Sequence, residues 1–81
     1  MRKEEIVVHG AIQRILDDVK GYKKSLNYAV GYCRYALTMR DEDLRVQCLY
    51  ILNNIKGWRH EDAKDVRRIL CAYVEGKEVI E

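Results

Sequence analysis

The chain has 81 residues, 48% of them apolar and 35% charged, with a net charge of +2 and neither proline nor phenylalanine. That length makes a single domain over residues 1–81 and holds its stability to roughly 4–12 kcal/mol. The charge density excludes a membrane-spanning helix, since no uncharged stretch approaches the ~20 residues a span requires.

The first helix is predicted from about Lys3 to Lys20. Val8, Ile12, Ile15, Leu16 and Val19 recur at spacings of three and four, which places them on one helix face. Glu4 and Glu5 suit the positive N-terminal end of its dipole and Lys20 its C-terminal end. Gly21 can follow as a residue of positive φ. Gly10 inside this helix points to a close approach by a neighbouring helix. The β-branched run Ile6-Val7-Val8 leaves a short extended entry as the alternative to a helical start.

The second helix is predicted from about Tyr22 to Met39. Tyr22, Leu26, Ala29, Val30, Cys33, Ala36 and Leu37 make an aliphatic face. Tyr28, Tyr32, Tyr35 and Met39 make a second stripe beside it, and together they span an apolar arc of about 220°. A helix with one wet side needs less than that. Either this is the central helix, or the tyrosine stripe meets another molecule; tyrosine suits both places, because its ring packs while its hydroxyl finds a partner or water.

The third helix is predicted to start near Asp41, with Thr38 and Asp41 as capping residues. Leu44, Cys48, Ile51, Leu52 and Ile55 form its core face, while Val46, Leu49 and Tyr50 lie off it. Asn53-Asn54-Ile55-Lys56-Gly57 reads as its end, with Gly57 in the left-handed position. A fourth helix, or a short final one, begins near His60 or Glu61 and buries Ala63, Val66, Ile69, Leu70, Tyr73 and Val74. Gly76 ends it, and 77–81 form a loosely docked tail. The fold class is therefore all-α, a small bundle of four amphipathic helices.

Three cysteines occur without a Cys-x-x-Cys pair. Cys33, Cys48 and Cys71 read first as small buried hydrophobes in a reducing cytosol, with a disulfide or a Cys/His metal site as the alternatives. Neither His9 nor His60 has a ligand-type residue three or four positions after it, so no metal is expected. No pattern of residues suggests a cofactor. Asp17-Asp18, Asp41-Glu42-Asp43 and Glu61-Asp62 are accounted for by helix ends and solvation, and the single serine, Ser25, has no adjacent histidine. The expectation is a protein without enzymatic activity. The first residues lack the apolar run of a signal peptide, which points to the cytoplasm.

Two surfaces are candidates for binding. The first is the tyrosine stripe, Tyr28, Tyr32, Tyr35 and Met39, joined by Trp58 and Arg59 at the junction of the last two helices, since tryptophan and arginine are enriched in binding hot spots. The favoured reading of Trp58 itself is a corner that folds back onto Leu49 or Leu52 and closes the core, with Arg59 capping the carbonyls of the third helix. The second surface is basic. Residues 19–40 carry five cations and no acid, and Lys23, Lys24, Asn27 and Arg34 share one face, which is either an ordinary solvated face or one able to contact nucleic-acid phosphates without reading sequence. Base reading by the last helix is disfavoured, because its first turn is Glu61-Asp62, which phosphates repel.

The stretch Leu49-Tyr50-Ile51-Leu52-Asn53-Asn54-Ile55, followed by Gly57-Trp58-Arg59 and then Ala63, Val66 and Leu70, resembles a segment of small uncharacterised phage and prophage proteins. There a leucine-asparagine helix end precedes a Trp-Arg turn and a second helix. The resemblance covers the C-terminal third, and His60 stands where those proteins carry glycine. It implies a phage or mobile-element origin and action by binding a host or phage protein. Sequence alone therefore leads to a helical protein-interaction module, with self-association as a homodimer the first expectation and nucleic-acid association the second.

Overall fold

The computed structural model describes residues 3–18, 27–58 and 60–79, with side chains from residue 29 onward in the middle stretch, and among these residues there are four helices. They are α1 (Lys3–Asp17), α2 (Asn27–Ala36), α3 (Asp41–Asn54) and α4 (Ala63–Val74). Ile6-Val7-Val8 is helical, so the extended entry does not form. The expected start of the second helix at Tyr22 and the turn at Gly21 lie outside the described residues. No strand occurs among the described residues, and no described helix is long and apolar enough to cross a membrane.

The helices close into a ring in which α1 packs on α2, α2 on α3, α3 on α4 and α4 back on α1. Each turns the stripe predicted from its periodicity inward. Val8, Ile12 and Ile15 come from α1, Leu44, Cys48 and Ile51 from α3, and Val66, Ile69 and Leu70 from α4, all essentially without solvent contact. Each of the aliphatic side chains among them contributes about 1.5–3 kcal/mol by leaving water. The inward face of α2 is smaller, with Ala29, Cys33 and Ala36 buried. Small residues there let its backbone approach α1 and α3.

Gly76 has φ +74° and ends α4. The Lys77 N–H bonds to the Ala72 carbonyl at 2.8 Å and the Gly76 N–H to Tyr73 at 3.2 Å, the paired bonds of a Schellman cap. Beyond it, Val79 packs against the core. Gly57 does not take the left-handed conformation expected of it. The end of α3 is closed from another helix instead. The Arg67 guanidinium of α4 donates to the carbonyls of Ile55 at 2.7 Å and Trp58 at 2.9 Å, doing what Arg59 was expected to do; Arg59 itself lies outside the described residues.

The start of α3 also departs from expectation. Thr38 donates to the Tyr35 carbonyl at 2.7 Å and so finishes α2 rather than capping α3. The Asp41 N–H is taken by the carboxylate of Glu5, 36 residues earlier, at 2.6 Å. Glu5 is 2% exposed, and its negative charge sits where the α3 dipole is positive. Tyr73 donates from its hydroxyl to the Asp41 carbonyl at 3.3 Å. Burial, with the Glu5 charge second, raises the Tyr73 phenol above its usual pKa. Arg14 joins α1 to the first turn of α4 through Asp65 at 3.1 Å and Asp62 at 3.8 Å.

Gly10 marks no close helix contact. It is exposed, and a methyl group added there would meet nothing within 4 Å.

Candidate functional site

The inward stripe of α3 leaves the other side of that helix to solvent, and that side is apolar. Relative to Leu44, the directions of Val46, Leu49 and Tyr50 lie about 140–240° around the helix, opposite the core. They are 43%, 47% and 48% exposed. On α2, Tyr32 and Tyr35, three residues apart, are 37% and 68% exposed. The Tyr32 and Tyr50 rings meet across the two helices with centroids 5.8 Å apart and a 35° tilt. These contacts and spacings join five large apolar side chains into one surface across α2 and α3.

The backbone beneath that surface is held by side chains. Gln47, 8% exposed, donates from Nε2 to the Tyr32 carbonyl at 2.9 Å and fixes α2 against α3. Thr38 holds the Tyr35 carbonyl, and Asn54 donates to the Tyr50 carbonyl at 2.8 Å. Each of the three exposed tyrosines therefore has its carbonyl tied by a polar side chain. A surface ordered before binding loses less entropy when a partner arrives.

The sequence-derived sites divide accordingly. Tyr32 and Tyr35 belong to this surface. The Tyr28 side chain lies outside the described residues. Met39 does not belong: it packs against the core, and its carbonyl accepts from His9 Nε2 at 3.0 Å. Trp58 is 2% exposed and is a core corner rather than a partner anchor. Its indole Nε1–H donates to Asp18 Oδ2 at 2.6 Å, and its ring stacks on His60 at 5.5 Å. In the basic surface, Arg34 is exposed, whereas Lys23, Lys24 and the Asn27 side chain lie outside the described residues. Val46, Leu49 and Tyr50, which periodicity places off the core face of α3, belong to neither of the two sequence-derived surfaces. Their spacing of three and one, opposite a complete core stripe, is the signal that identifies them.

Cys33 and Cys48 are buried, and burial pushes both thiols up to about 12. Cys71 is exposed, contrary to the expectation for all three. It lies roughly 150° from the centre of the inward stripe of α4 at 100° per residue. Among the described residues, no three His, Cys, Asp or Glu side chains are placed to hold a metal ion. No family model, curated protein or solved structure matches the chain.

Proposed function

We propose that this protein is a non-enzymatic helical interaction module of the cytoplasm that works by presenting the α2–α3 surface to a protein, whether a copy of itself or a host or phage protein. The observation that carries the reading is the exposure of Tyr32, Tyr35, Val46, Leu49 and Tyr50 together on one face. Scattered apolar residues on a surface are ordinary, but a contiguous patch on so small a domain is the mark of an interaction site. Tyrosine is enriched at the centres of such sites. The resemblance of the C-terminal third to phage and prophage proteins supports a role exerted by binding.

Photo-crosslinking inside cells tests this. A benzophenone amino acid replaces Tyr35 in one variant and exposed Lys64 of α4 in another. The reading expects protein adducts from position 35 and none from position 64. Equal yields, or no adduct from position 35, would refute it.

A further inference from the structure

The outward face of α3 has a second regularity. Glu42, Val46, Leu49, Asn53 and Lys56 are spaced by four, three, four and three residues, and all five are exposed. That alternation keeps one seam facing a partner helix in a coiled coil. The seam is acidic at one end, where exposed Asp41, Glu42 and Asp43 outnumber Arg40 and Arg45, the latter paired with Glu42 at 3.0 Å, and basic at the other, where Lys56 follows the end of the helix. Its middle is Val46 and Leu49, flanked by Tyr50.

We infer that the occupant of this surface is a second copy of the chain, with α3 pairing antiparallel on α3 of its partner about a two-fold axis near Leu49. The inference rests on the α2–α3 surface being a protein-binding site, and it names the partner. Charge sets the direction. A two-fold axis at Leu49 lays the acidic first turn of one copy over Lys56 of the other, twice by symmetry. A parallel pairing would set acid against acid. Antiparallel helices also bring opposite dipole ends together.

The area is right for such a contact. With about 200 Å² for a whole tyrosine, the exposed parts of Tyr32, Tyr35 and Tyr50 present roughly 300 Å². Val46 and Leu49 bring the apolar area to roughly 400–450 Å² per copy. A stable interface covers about 800 Å² per partner, of which about 57% is apolar. The patch thus supplies the apolar share of one standard interface, and the charged ends of α3 with the rim of α2 supply the rest.

The test uses the full chain. Sedimentation equilibrium up to several hundred micromolar is expected to show a dimer, and Leu49→Glu, which changes an exposed residue, is expected to leave a helical monomer. Glu42→Lys or Lys56→Glu alone should raise the dimer dissociation constant about three- to thirty-fold, through two symmetric ion pairs, and the two together should restore it. In a Cys71→Ser background, oxidation of Leu49→Cys should give a covalent dimer. Glu42→Cys should not, because antiparallel pairing holds the two copies of residue 42 about 20 Å apart. A monomer throughout the concentration range would overturn the inference. So would a dimer that survives Leu49→Glu, or one crosslinked through residue 42. In each case, adducts from position 35, to a different protein or to a second copy, would leave the binding-surface reading standing, and the absence of any adduct there would remove both.

Discussion

Replacing Glu5 offers the sharpest test of how the fold is assembled. The Glu5 carboxylate is buried in α1 and accepts the Asp41 N–H at 2.6 Å, which is one of the backbone donors that α3 cannot satisfy itself. A hydrogen bond to a charged group contributes about 1.5–3 kcal/mol, and truncating Glu5 takes from the Asp41 N–H the acceptor that the fold supplies. Glu5→Ala also removes the favourable charge at the α3 N-terminus and leaves space in the α1–α3 contact. A loss of about 3 kcal/mol follows. Glu5→Gln keeps an acceptor of the same reach but not the charge, and should cost about 1 kcal/mol. Against a total of roughly 4–12 kcal/mol the alanine change is severe. For a domain of this size it lowers Tm by about 12–24 °C. Thermal and urea unfolding followed by circular dichroism measure both variants. Glu4→Ala, whose side chain is exposed, is the control and should change little. If Glu5→Ala stayed within about 0.5 kcal/mol of the parent, Glu5 would not be what holds the start of α3.

Other changes have equally definite outcomes. Gly10→Ala should stabilise the protein by up to about 1 kcal/mol, because the added methyl meets nothing and alanine favours the helix; destabilisation would mean that α1 is more tightly packed than described. Trp58→Phe removes the hydrogen bond to Asp18 and should cost about 2–3 kcal/mol in urea unfolding, whereas a neutral result would make the indole N–H dispensable. A thiol reagent should label Cys71 quickly in the native protein and Cys33 and Cys48 only on unfolding, read by mass spectrometry; fast labelling of all three would contradict the burial of two. The Arg68 and then Arg14 hydrogen bonds lower the Asp65 pKa. Its contribution is therefore complete above the ordinary carboxylate pKa and fades as pH falls through the lowered folded value. Asp65→Asn should flatten that acid limb of the stability–pH curve, and an unchanged limb would place the acid sensitivity elsewhere.

Local spacing was enough to establish four helical segments, their inward stripes and the glycine that ends α4. Helical periodicity and glycine's freedom at positive φ act over a few residues, so they are legible without a partner in view. It also contained the position of Cys71, whose angle about α4 points away from the core, and the outward stripe of Val46, Leu49 and Tyr50. Tertiary structure alone decided the rest. An apolar arc of about 220° on the second helix did not say where the core stopped. The neighbours of α2 set that limit, leaving Tyr32 and Tyr35 outside and drawing Met39 in. Glu4 and Glu5 are equivalent to the helix dipole, and only the arrival of α3 beside one of them distinguishes a buried cap from a solvated charge. The same holds for Arg67 at the end of α3 and for Asp18 on the Trp58 indole. These bonds join residues 12, 9 and 40 positions apart. Polar groups buried by packing must find partners wherever the fold brings them, and the identity of those partners depends on which helices meet.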